Sequence, residues 1–218
     1  DKIGTPAHIA SAPSLCLRYI AQDAFKNAPS MLWAFLLEDF AELVVSALKN
    51  TIAVDSFAEV SGAATVAEAY EIAPAICDLG SGHIPPHCAK FVVSGNIRAF
   101  STTWDTSNVQ YLKTRYSKPV VDLGRIPQRR SAQAHTRKII ISGLSRRPTA
   151  FLDDKAEYLA GKSTVIVMNR TGVDHLPALT AILNSELGSI IYSGLFGGLA
   201  LAGGYLRFGP PQIAGFPV

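Results

Sequence analysis

Ten of the chain's twenty lysines and arginines fall in one short window, opposed there by a single acid, Asp122. They are Lys113, Arg115, Lys118, Arg125, Arg129, Arg130, Arg137, Lys138, Arg146 and Arg147. A one-signed cluster of this kind is what a phosphate backbone demands, because each neutralised phosphate releases condensed counterions. Arginine also forks onto guanine O6 and N7, and Gln128 or Gln133 could pair in the same way with adenine. The plain alternative is a solvated basic face, since the net charge of the whole chain is only +3.

Other strings suggest chemistry and mostly fail on spacing. "YLAGKST" looks like the end of a phosphate-cradling loop, but the position that needs its first glycine is Ala156, with no strand-to-helix pattern around it. Cys77, His83, His87 and Cys88 are candidate zinc ligands without a CxxC or helical HxxxH spacing to present them together, and two prolines separate the histidines. "TAFLDDK" offers an acid-x-Lys element in Asp153 and Lys155, with Asp122 of "KPVVDL" as a second carboxylate for Mg²⁺ in a nuclease. Asp153-Asp154 reads equally as a turn. No GxSxG, HExxH or complete GxGxxG occurs.

These residues need elements to position them. "KFVVS", "KPVVDL", "RKIIIS", "TAFLD" and "STVIVM" are Val/Ile-rich runs bounded by Gly, Pro and Asn, the pattern of short strands. "SMLWAFLLEDFAELVVSALKN" puts Trp33, Leu36, Leu37, Phe40, Leu43, Val44 and Ala47 on one helical stripe. Thr65 and Glu68 form a capping box before "VAEAYEI". Helices are expected across "DTSNVQYLKTRY", and from an Asp174 cap through "LPALTAILNSELGSIIYSG". The expectation is an α+β fold: a mixed sheet with flanking helices and a helical N-terminal segment. Residues 1–29, punctuated by Pro6, Pro13 and Pro29, read as a linker, and 30–218 as one domain with a soft joint at "LGSGHIPPHC".

Twenty uncharged positions separate Glu186 from Arg207, enough to cross a bilayer. Six glycines and two serines dilute that run, so a helix, a glycine-rich turn and a buried strand are expected rather than a membrane span. The N-terminus lacks a basic region followed by an apolar one, and three cysteines argue against a disulfide framework, which points to a reducing cytoplasm. Opening on Asp1 and stopping at Val218, the chain reads as a piece of something longer.

Several segments, in order, resemble one family. "FVVSGNIRAFSTTW", "YLKTRYSKPVV", "RKIIISGLSRRPTAFLDDKAEYLAGKSTVIV" and "LTAILNSELGSIIY…GGYLRFGPPQIAGFPV" are similar to the C-terminal specificity region of TaqI-type adenine DNA methyltransferases. The same region occurs in fused restriction–modification enzymes. "MLWAFLLEDFAELVVSALK" and "FAEVSGAATVAEAYEI" resemble the segment that opens it. The resemblance implies a target-recognition domain for double-stranded DNA. Its partner would be a separate catalytic methyltransferase domain that binds S-adenosylmethionine and carries an Asn-Pro-Pro-aromatic motif. This chain has no Asn-Pro-Pro, so no cofactor and no catalytic residue is expected in it. Candidate base readers, taken from chemistry alone, are Arg125, Gln128, Arg129, Arg130 and Gln133 in a polar loop between strands, then Asn96 and Arg98. Lys138, Arg146 and Arg147 are candidates for phosphates, and Arg137 is a further candidate DNA contact. Two rival functions stay open: the nuclease on Asp122, Asp153 and Lys155, and a non-catalytic protein-interaction module.

Overall fold

In a computed structural model the protein is described over residues 40–80, 82–170 and 172–218. The linker at 1–29 and the Trp33–Leu37 part of the helical stripe lie outside these residues. Along the chain run α1 (Ala41–Lys49), β1 (Ala58–Gly62), α2 (Val66–Ile72), β2 (Ile76–Asp78), β3 (Cys88–Val92), β4 (Ile97–Arg98) and β5 (Ser101–Thr102). There follow β6 (Val109–Tyr111), β7 (Thr114–Tyr116), β8 (Pro119–Asp122), α3 (Gln128–Ala134), β9 (Lys138–Ser142), β10 (Leu144–Ser145), β11 (Ala150–Asp153) and β12 (Tyr158–Ala160). The chain closes with β13 (Thr164–Asn169), α4 (Leu176–Asn184), α5 (Glu186–Phe196), β14 (Leu206–Arg207) and α6 (Pro210–Ala214).

Two four-stranded sheets dominate, in the orders β1-β13-β9-β11 and β12-β3-β8-β2. The first is wholly antiparallel; the second is mixed, because β12 runs parallel to β3. The fold is α+β, as the alternation of short β-branched runs with helical segments implies.

Alternation along the strands sorts the side chains into three cores. Ile139 and Ile141 of β9 and Val165 and Val167 of β13 face α1, α4, α5 and α6. From the other face of the same sheet, Ile140, Ile166 and Phe151 meet Val92, Val120 and Ala160 of the second sheet. The outer face of that second sheet, through Phe91, Val121 and Leu159, packs under α2, α3 and the β6–β7 hairpin. The order of layers is helices, sheet, sheet, then helices with a hairpin. "RKIIIS" is buried at every strand position because its sheet is covered on both sides.

Three expectations are corrected. "DTSNVQYLKTRY" forms the β6–β7 hairpin, with Val109, Tyr111 and Tyr116 buried and Leu112 turning at φ 51°. Its buried positions alternate, a period that a helix cannot satisfy. The long helix after Asp174 breaks at Ser185, whose backbone is extended and whose hydroxyl accepts the Gly188 N–H to start α5. Asp174 accepts the Leu176 N–H, although the residue at the cap position is His175. Of the helical stripe, Phe40, just before α1, and Leu43 on it are exposed while Val44 is buried.

The uncharged run is α5, a short 3-10 turn and β14, followed by α6, which was not anticipated. Among the described residues no helix is long and apolar enough to cross a membrane. Gly194 serves contact with α1: a Cβ there would lie 2.6 Å from Val44 Cγ2. Tyr192 stacks among Phe196, Phe208 and Phe216, and its hydroxyl donates to the Arg207 carbonyl at 2.8 Å. The "LGSGHIPPHC" joint connects β2 and β3, two strands of one sheet, and separates no modules.

One ion pair fastens the layers. Lys138 of β9 and Asp153 of β11 are register partners on the face between the sheets, 2.6 Å apart and 0% and 1% exposed at the side chain. Nζ also donates to the Ala134 and Thr136 carbonyls at the end of α3. The carboxylate accepts the Glu157 and Tyr158 N–H groups, which start β12 in the second sheet. Burial pulls the Lys138 ammonium below its ordinary value against the attraction of Asp153. Removing one partner strands the other charge in the interior. Lys138→Met should therefore lower unfolding stability by roughly 3 kcal/mol in urea titrations, and the double change Lys138→Met/Asp153→Leu should recover only part of that loss, because the Glu157 and Tyr158 N–H groups lose their acceptor.

Candidate nucleic-acid interface

The basic window divides when its side chains are placed. Arg125 ends a 3-10 turn, and Gln128, Arg129, Arg130 and Gln133 lie on α3, not in a loop. Gln128 and Arg129 are exposed with Arg125, but Arg130 and Gln133 are buried. Arg130 forks onto Glu68, Nε at 2.9 Å and Nη2 at 2.6 Å, and reaches the Gly62 carbonyl through Nη1. Glu68 is also the third residue of α2, where it closes the capping box with Thr65. The Arg130 hydrogen bonds, with the cap amide, hold the Glu68 carboxyl down at about 2 despite partial burial. Arg137 is tied to Asp154 and Asp174, each at 2.7 Å, and both contacts raise its already high pKa. Lys138, at the centre of the ion pair above, offers no surface to a phosphate. Asn96 is fully buried, its Oδ1 accepting the Val93 N–H, and cannot meet a base edge.

Sequence reasoning assigned Arg130, Gln133, Lys138 and Asn96 to DNA because polarity alone does not reveal burial. The acids that pair with Arg130 and Lys138 stand 62 and 15 positions away, on other elements.

The nuclease residues fare no better as a group. Both Asp153 oxygens are committed to Lys138 and two backbone amides, and Asp122 accepts the Gly124 N–H. Among the described residues no three His, Cys, Asp or Glu side chains are gathered to hold a metal ion.

A different set of cations does share one end of the double sheet. The Gly143 N–H donates to the Ser163 carbonyl at 3.0 Å and to Ser94 Oγ at 3.1 Å, and its carbonyl accepts the Phe208 N–H at 3.0 Å. A Cβ at Gly143 would stand 2.2 Å from the Ser163 oxygen, so only glycine allows the ends of β3, β9, β13 and β14 to meet. From this knot project Arg98, whose guanidinium donates to the Gly95 carbonyl at 3.0 Å, and Arg146 and Arg147, which follow β10. Arg207 of β14 pairs with Leu144 of β10, and Arg146 lies 5.6 Å from the Tyr205 ring. Lys162, beside Ser163, lines two clefts, of about 310 Å³ and about 450 Å³. Neither cleft has an acidic residue in its lining. Among the described residues, none of these five cations has a carboxylate within 4.0 Å. Exposed Leu144, Leu199, Leu201 and Tyr205 lie along the same ribbon and turn.

Arg98, Arg146 and Arg147 were legible in the sequence as candidates; Lys162 and Arg207 were not. Lys162 sits in "YLAGKST", where Gly161 packs against Phe91, Lys162 and Ser163 make the β12–β13 turn, and the Thr164 hydroxyl donates to the Gly161 carbonyl. The string has the look of a phosphate loop but forms a turn that carries the chain from the second sheet to the first. The chain matches no protein-family model and no curated protein.

The Arg130–Glu68 fork generates a pH test. The folded pKa of Glu68, about 2, lies below its ordinary 4.5, so its stabilisation is complete above the unfolded value and fades as pH falls through that interval. Between about pH 6 and pH 3 the wild type should lose more stability than Glu68→Gln; parallel curves would remove the pair from the fold's support. At neutral pH Arg130→Ala should cost roughly 3 kcal/mol, and exposed Arg129→Ala no more than about 0.5 kcal/mol.

Proposed function

We propose that this chain is the DNA target-recognition domain of an adenine-N6 DNA methyltransferase or of a fused restriction–modification enzyme. On this reading it grips duplex DNA with the cationic end of the double sheet. The observation that carries it is the gathering of Arg98, Arg146, Arg147, Lys162 and Arg207 around the Gly143 knot, with no carboxylate within 4.0 Å among the described residues. The ordered likeness of residues 30–218 to the TaqI-type specificity region supports the same reading. These five cations give the sequence-independent grip, and phosphate contacts orient the protein for base reading by its neighbours. S-adenosylmethionine and the chemistry belong to the partner catalytic domain, and this chain selects the site. A cytoplasmic location fits such a role.

A second reading, a protein-interaction module, draws on the exposed Leu144, Leu199, Leu201 and Tyr205 beside the same cations. Binding to a duplex oligonucleotide over a salt series separates the two. The DNA reading expects log affinity to fall by about 0.9 per neutralised phosphate as log salt rises. Arg147→Ala should weaken binding to every sequence alike and flatten the slope by about one contact. Absence of salt-dependent binding would overturn the proposal and favour the interaction module.

A further inference from the structure

Lys162 and Ser163 form a ridge between two clefts. On one side, a cleft of about 310 Å³ is lined by Ser94, Gly95, Gln110, Tyr111 and Leu112. On the other, a cleft of about 450 Å³ runs from Gly62 and Thr65 past Gly143 to Arg207 and Gly209. Lys162 and Ser163 line both.

Three features single out this ridge. The first is backbone geometry. Among described residues other than glycine, four have positive φ, and two of them, Ser163 at 70° and Leu112 at 51°, line the smaller cleft. Such conformations cost of order 1–3 kcal/mol and persist where the surroundings hold them, often at binding sites. Here the Ser163 carbonyl is held by the Gly143 N–H and by the Ser94 hydroxyl. The second is a buried polar group at the ridge itself. The Tyr111 side chain is on the wall of the smaller cleft, its residue 5% exposed, with its hydroxyl facing the Lys162 backbone N–H. The third is charge. Lys162 is half-buried and faces no acid in either cleft, and Arg207 adds a second cation to the larger one.

Together they describe a cationic crest with a pocket on each side. A nucleic-acid strand has the complementary repeat: a charged phosphate flanked by two uncharged sugar–base units. We propose that one strand of the DNA crosses the Lys162–Ser163 ridge, with a single backbone phosphate on Lys162 and the two adjoining nucleosides over the flanking clefts. This rests on the DNA-binding reading and assigns a specific phosphate contact to a residue outside the basic window. Lys162 positions the strand and does no chemistry.

The test uses the full chain and a duplex oligonucleotide in which one phosphate at a time is replaced by an uncharged methylphosphonate. Wild type, Lys162→Met and Lys162→Arg are compared. Lys162→Met should weaken binding about fivefold or more near 0.1 M salt and reduce the salt slope by about 0.9, and Lys162→Arg should restore both. At one phosphate the neutral substitution should weaken wild type and leave Lys162→Met unchanged, which identifies the phosphate that the lysine holds. The change lies on a turn whose fixed contacts come from Gly161, Ser163 and Thr164, so folding is preserved. Equal losses for wild type and Lys162→Met at every phosphate overturn the ridge contact while leaving DNA binding intact. Salt-independent binding by the wild type would instead remove the DNA reading on which it rests.

Discussion

The Lys138–Asp153 pair is the constraint on which the other layers depend. It sits between the two sheets, and its satisfied hydrogen bonds reach β9, β11, the end of α3 and the start of β12. A buried ion pair of this kind adds little net stability over apolar residues of the same size, because desolvation offsets most of the attraction. Its effect is on arrangement. Charges that can be satisfied only in one packing fix how the sheets and α3 meet, and any slip leaves one of them unpaired. Arg130 and Glu68 repeat the device nearer the surface, locking α3 to the first turn of α2.

The cluster of positive charge in sequence therefore divides in space. Arg130 and Lys138 are spent on buried pairs and Arg137 on exposed ones, while Lys113, Arg115, Arg125 and Arg129 stay exposed on other elements. Arg146 and Arg147 belong to the surface, where Arg98, Lys162 and Arg207, drawn from distant segments, meet them around Gly143. Close packing at that glycine positions the charged end: the strand ends must touch for the cations to converge. The fold in this way turns a weak net charge of +3 into a local cationic surface.

What was legible in the sequence follows from the range of the physics. The five Val/Ile-rich runs became strands because β-branched residues bounded by turn formers encode their conformation locally. The Thr65 capping box was likewise readable, since both partners lie within one turn. The stretch 105–116 misled because its polar residues hide the alternation of Val109, Tyr111 and Tyr116 until their shared core is seen. The fate of Arg130 and Lys138 was beyond local reading, as each is decided by a carboxylate on another element. Lys162 was read as part of a failed phosphate motif, and its setting depends on Ser94 and Gly143, both far away in the chain.

Backbone amide mapping by NMR, with a duplex oligonucleotide titrated into the protein at low salt, tests most directly whether the cationic end of the double sheet is the nucleic-acid interface. The expected result is a set of salt-sensitive shifts at 94–98, 143–147, 161–163 and 205–209, with 128–138 nearly silent. Shifts concentrated on Gln128–Ala134, with the Gly143 knot unperturbed, would contradict it.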